Sequence, residues 1–339
     1  MKRFLFAEKK TFGTFTTFEL KDTASGASAE VALKGATLLK YYINLNNELF
    51  NIIDGFKTPE ELIKAKGARS YIMTPFANRI PDGKYSFEGK SYVIEPVPPR
   101  TEVIHGFTAS HIFGLEEYAE TDEFASITLV TDITPDQYKG YPFSLKVSVK
   151  FTLSEEKLDI AVTSVNTGEN SAPFFCGWHP YFRTNEDGIE NLILTIDAES
   201  VISMDEKFIP LKGSAAFSPI EKHKRDDYRS VLTEKERIIN NRKLDLCYAN
   251  LNLDKKGFAY SSIYDPDNGL KITMYQKGGV TLAFSGDSLI ARKRKAVALE
   301  PMMALTNAFN REDFKKLITI QPGASISFNF GVKAECLKK

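Results

Sequence analysis

Apolar and polar residues alternate strictly over two successive stretches near the middle of the chain. Leu145, Val147, Val149, Phe151 and Leu153 are interleaved with Lys146, Ser148, Lys150 and Thr152; Leu158, Ile160 and Val162 follow, interleaved with Asp159, Ala161 and Thr163. A period of two sends the two sets to opposite faces of a strand. The polar link Ser154-Glu155-Glu156-Lys157 is short, so the pair predicts a β-hairpin. Similar runs at 15–20, 29–33, 127–132, 192–197, 271–275, 280–284, 296–300 and 326–332 predict further strands. Turn chemistry such as Pro81-Asp82-Gly83, Lys277-Gly278-Gly279 and Gln321-Pro322-Gly323 separates them.

Helix signals are few. Thr58-Pro59-Glu60-Glu61 supplies an N-cap, a proline at the first helical position and a capping-box carboxylate, with Gly67 the expected stop. No regular series of alternating strands and helices follows, and neither GxGxxG nor a P-loop string occurs, which disfavours a nucleotide-binding α/β fold. The expected class is all-β, a large antiparallel protein. Without a linker, repeat or low-complexity tract, residues 1–339 are expected to form one domain.

Composition narrows the partners. Lys+Arg and Asp+Glu each number 44, so the net charge is zero and no nucleic-acid or anionic-membrane partner is expected. An apolar content of 42% excludes wholesale disorder. Cys176, Cys247 and Cys336 are too scattered for a zinc site or a disulfide framework. The apolar run 4–7 is shorter than a signal peptide needs, and no run approaches the roughly 20 apolar residues of a membrane span. A soluble, cytoplasmic protein is expected. The charge-dense segment 222–229 is expected to be a solvated loop that includes His223.

With four histidines in the chain, each can be weighed. His111 carries no assignment. His105 ends the apolar run Val103-Ile104 before Gly106, and His179 lies in Phe174-Phe175-Cys176-Gly177-Trp178-His179-Pro180-Tyr181-Phe182, the most aromatic string in the chain. Each is either a satisfied core histidine or part of a pocket. Glu300 ends the strand-like Ala296-Val297-Ala298-Leu299, sharing a face with two alanines that leave room above its carboxylate. A carboxylate there is either salt-bridged or used, since desolvation raises its pKa toward that of a general base. Asp245 and Arg79 are either ion-pair members or site residues. No HExxH or His-x-His pair supports a metal, and no GxSxG elbow supports a serine hydrolase. A glycosidase using Asp245 and Glu300 would need the two carboxylates roughly 5–9.5 Å apart.

Three strings together, Phe76-Ala77-Asn78-Arg79-Ile80-Pro81-Asp82-Gly83, Gly177-Trp178-His179-Pro180-Tyr181-Phe182 and Leu299-Glu300-Pro301, resemble the signature segments of the aldose 1-epimerases, or galactose mutarotases. Ile104-His105-Gly106-Phe107 and Thr306-Asn307-Ala308-Phe309-Asn310 extend the resemblance across nearly the whole chain. It implies a large antiparallel β-supersandwich and interconversion of the α and β anomers of a free aldose, without a cofactor. It implies Glu300 as general base, His179 as general acid and His105 as the second active-site histidine. Asn78, Arg79 and Asp245 fall at or beside sugar-contacting positions, and Trp178, Tyr181 and Phe113 become candidates for apolar walls. Phe107 after Gly106, and Phe113 further on, depart from the commonest pattern. A hexose-6-phosphate epimerase and a catalytically silent sugar-binding protein remain the alternatives.

Overall fold

The computed structural model describes residues 2–98, 100–155 and 157–337. Their architecture is the expected all-β one. An N-terminal five-stranded meander runs through Phe4–Phe12, Phe15–Asp22, Ser28–Ala32, Thr37–Leu45 and Glu48–Asn51 in chain order. A large antiparallel sheet has at its centre Leu270–Lys277, Ser325–Cys336, Lys157–Asn166 and Leu145–Ser154, and ends on Ile193–Ile196 and Gly114–Glu120. A second eight-stranded sheet carries Ala198–Ile202, Asp245–Leu251, Val280–Phe284, Val297–Met302, Gly177–Trp178 and Ile72–Met73 in that order, with Phe217–Pro219 beyond the first; Tyr181–Phe182 also pairs with Val297–Met302.

The expected hairpin is present with the register the alternation requires: Leu145 faces Asn166 and Leu153 faces Leu158. Of its link, Glu156 lies outside the described residues. The apolar set, Leu145 to Leu153, is fully buried, while Lys146 and Lys150 on the other face are bound by Glu116 and Glu117 of the edge strand. The short helix is Pro59–Lys64, with the Thr58 hydroxyl accepting from the Glu61 N–H. It stops two residues before Gly67, because Ala65 already adopts the left-handed conformation (φ 57°) and donates its N–H to the Glu61 carbonyl.

The two large sheets share one apolar core. Trp178 of one lies stacked on Phe330 of the other, ring centroids 5.7 Å apart. No helix among the described residues is long and apolar enough to cross a membrane. The 222–229 segment holds one short 3-10 turn, Lys224–Asp226, just after another at Ile220–Lys222, and Arg229 there binds both Asp227 and Glu221.

Candidate active site

The site forms where the second sheet is interrupted. Gly177 pairs with Met302, and Tyr181 pairs with Ala298. That register places His179 opposite Glu300. The ladder opens there because Pro180 has no N–H, while His179 turns its own backbone to the other side, donating to the Tyr71 carbonyl and accepting from the Ser70 N–H. Its Nε2 instead lies 3.2 Å from Glu300 Oε1.

His105 arrives from a different segment. Asn78, His105 and Gly106 all have positive φ (57°, 60° and 63°), and the two segments are tied by the His105 N–H to the Asn78 carbonyl and by a bridge between Arg79 and Ile104. Gly106 is required: a Cβ there would stand 1.9 Å from the Thr74 carbonyl oxygen. The result sets the His105 ring edge-on to the His179 ring, centroids 5.2 Å apart. Asn78 uses its side-chain oxygen to hold the Arg79 backbone N–H (2.9 Å) and guanidinium (3.3 Å).

Electrostatics follow from burial. Glu300 and both histidines are almost fully buried. Desolvation pushes the Glu300 carboxyl well above the usual carboxylate range, the Asp245 carboxylate adds to that rise, and the Arg79 guanidinium opposes it. Asp245 is itself raised by burial and lowered by Arg79. Burial pushes His179 down to about 3, and it holds His105 well below its ordinary value, helped by His179, Arg100 and Arg79. Burial therefore favours the neutral forms of all three. Glu300 Oε2, His179 Nδ1 and His105 Nδ1 are buried without a protein partner, which in a folded interior calls for an explanation.

His105, His179, Asn78, Arg79, Asp245 and Glu300 are thus brought into one cluster. Tyr181 joins it, its ring stacked on that of His179 at 5.0 Å. The room expected above Ala296 and Ala298 is filled by that same Tyr181 ring, which packs with them, Phe284 and Leu289 in a small cluster separate from the main core. Trp178 is not brought to the site. As the neighbour of His179 on a strand it points the other way, into the core between Phe182 and Phe330. Phe113 is also buried, its backbone tied to the Leu33 carbonyl. His111 binds Thr131 (2.9 Å) and the Tyr138 hydroxyl (2.5 Å), and His223 binds Ser218 (2.9 Å). Sequence reasoning missed Phe208, whose ring lies under the Arg79 guanidinium at 5.5 Å; no periodicity or motif marks it. Among the described residues, no group of three or more His, Cys, Asp or Glu side chains is arranged to hold a metal ion.

The described residues thus form an antiparallel β-sandwich with a buried carboxyl–imidazole pair on one sheet and polar groups from other segments around it. The family model for aldose 1-epimerase matches residues 16–333, and the chain belongs to that family. It is 28% identical over 255 residues to the uncharacterized protein YihR of Escherichia coli (strain K12), covering 74% of each chain. It is 25% identical over 215 residues to the galactose mutarotase of Mus musculus, covering 62% of this chain and 59% of that one. The solved galactose 1-epimerase from Lactobacillus acidophilus NCFM superposes with a TM-score of 0.79 at 18% identity, over 99% of both chains.

Proposed function

We propose that the protein is an aldose 1-epimerase acting on neutral free aldoses. Ring opening removes the proton of the C1 hydroxyl, breaks the C1–O5 bond and protonates O5. Glu300 takes the first proton and His179 delivers the second. Rotation about C1–C2 and the reverse transfers close the other anomer. The observation that carries this reading is the 3.2 Å contact between Glu300 and His179, both buried, each with a second polar atom left unpartnered.

The proton count explains why this pair suits a reversible reaction. Neutral carboxyl with neutral imidazole, and carboxylate with imidazolium, hold the same number of protons and differ by one transfer across the contact. Ring opening runs from the charged arrangement to the neutral one, and reclosure runs back. Burial favours the neutral arrangement; Arg79 and the hydroxyls of a bound sugar favour the charged one. Arg79 and the sugar hydroxyls thus offset part of the bias toward the neutral arrangement that burial sets. Arg79 and His105 are assigned to the ring-oxygen side and Asp245 to a sugar hydroxyl.

A phosphorylated substrate is disfavoured because three of the four basic residues at 292–295, just before the Glu300 strand, already have partners. Arg292 pairs with the buried Asp54, and Arg294 with Glu190 and Asp287. Lys295 donates to the Glu186 and Asp187 carbonyls. The three thiols are unpaired, in keeping with a reducing compartment, and we place the activity in the cytoplasm.

Polarimetry of freshly dissolved α-D-glucose and α-D-galactose, beside glucose 6-phosphate, tests the reading. Neutral sugars should show kcat/KM at least equal to that of the phosphate, unchanged by EDTA. No rate above spontaneous mutarotation with any of the three would overturn the proposal. A clear preference for the phosphate would overturn the substrate assignment alone.

A further inference from the structure

A cleft of about 610 Å³ opens beside the catalytic cluster, on the far side of Arg79. It lies within the size range of small-molecule sites. His105, His179, Asp245 and Glu300 do not line it, so it lies apart from the carboxyl–imidazole pair. Arg79 bears on both. Its charge reaches Glu300 and Asp245 on one side, and on the other it meets Glu102 at 3.6 Å and the Phe208 ring at 5.5 Å.

Phe208 is the telling residue. It is 44% exposed, one of few large aromatic side chains left to water, and its backbone has φ 60°, a conformation bulky residues rarely adopt. The loop is not slack. The Asp205 carboxylate accepts from the Lys207 and Ile209 N–H groups, the Phe208 N–H donates to the Asp205 carbonyl, and Met204 bridges to Pro210. The fold therefore holds an aromatic face rigidly over the cleft. Around it stand Asp82, Glu102 and Glu206, against Arg79 and Lys207.

A hydrophobic ligand would strand those charges, and an anion would meet more carboxylates than cations. A pyranose suits the mixture: its C–H face stacks on an aromatic ring, and its hydroxyls donate to carboxylates. We propose that the cleft is a second glycosyl subsite, so that reducing disaccharides are preferred over monosaccharides. The reducing-end ring sits at Glu300 and His179, and the distal ring crosses Arg79 onto Phe208. This rests on the epimerase reading of the adjoining site.

The test compares D-glucose with maltose, cellobiose and lactose, by polarimetry on the wild type and by calorimetry on Glu300→Gln. At least one disaccharide should have kcat/KM about tenfold above glucose, and should bind Glu300→Gln about tenfold more tightly than glucose does. Phe208→Ala, or Glu206→Ala should Phe208→Ala not fold, should bring the ratio of disaccharide to glucose close to one in both measurements. If no disaccharide exceeds glucose, or if the variant lowers both sugars equally, the subsite is wrong. Absent turnover of every sugar would instead count against the epimerase reading. Calorimetry still decides the subsite in that case, because tighter disaccharide binding lost with Phe208 supports it and equal binding overturns it.

Discussion

Two antiparallel pairs in this molecule differ in one respect that decides their use. In the Leu145–Asn166 hairpin the ladder runs without a break from Leu145–Asn166 to Leu153–Leu158. Between Tyr181–Phe182, Gly177–Trp178 and Val297–Met302, pairing is made at Gly177 and at Tyr181 and is open between them. The first pair satisfies its backbone and buries a face that is apolar except for Ser164 and Asn166 at one end. The second leaves a histidine and a glutamate facing each other in a gap, each with a buried polar atom that no protein group meets. Buried polar atoms without a partner also occur within continuous ladders, at Ser164 and Thr273, but at the interruption a carboxyl and an imidazole, both titratable, are left so together.

The sharpest break between the regions should come from Glu300→Gln. The amide keeps the shape and cannot take a proton, so mutarotation should fall by about 10²–10⁴-fold with sugar binding retained. Polarimetry with circular dichroism checks this, and activity above a tenth of wild type would remove Glu300 from the role of base. Phe151→Ala is the opposite case. Phe151 is fully buried in the hairpin, so its loss should cost about 3–5 kcal/mol of stability in denaturant unfolding. Turnover per folded molecule should be unaffected. A lowered kcat in the folded fraction would show that hairpin and site are coupled.

His179→Asn sits between these extremes. It removes the proposed acid while leaving Glu300 and His105 in place, so kcat should fall by about 10²-fold with a modest change in KM. Steady-state kinetics separate the two parameters. A change confined to KM would make His179 a binding residue and move His105 into the role of acid.

What could be read in advance follows the same division. Alternation specifies both the hairpin and its register, because a slip of one residue would expose Val147, Val149 and Phe151 together. The Thr58 cap is equally local. The site was legible only through residue strings, since its pairing comes from three distant segments and from the missing N–H of Pro180. Side-chain direction was harder. The aromatic string 174–182 gives no sign that Trp178 turns inward while Tyr181 turns onto Ala296 and Ala298, until the strand positions are fixed. Phe208 was harder still: the neighbouring Asp205 carboxylate closes its turn, but its place beside Arg79 depends on a segment far away in the chain.

The smallest expected effect is on stability, and it probes the proton balance of the interrupted pair directly. Unfolded, Glu300 loses its proton near the ordinary value of 4.5; folded, it keeps it to a higher pH. The folded state then binds more protons than the unfolded state, so the group's contribution is complete below pH 4.5 and is lost as pH rises. Glutamine has nothing to lose. Glu300→Gln should therefore melt at the wild-type temperature near pH 4.5 and a few degrees above it near pH 7. The histidines act in the other direction: unfolded imidazoles bind protons below about 6.5, whereas folded His179 resists until about 3, so both proteins weaken as pH falls through that window. That term is common to both proteins and largely cancels in their difference, leaving the carboxyl. Thermal unfolding of both between pH 4.5 and 7.5 measures it. A difference that stays flat would mean that Glu300 ionises at its ordinary value and that burial does not bias the pair toward its neutral form. The hairpin variant Phe151→Ala serves as the control, because with no titrating group removed its loss of stability should not change across the same range.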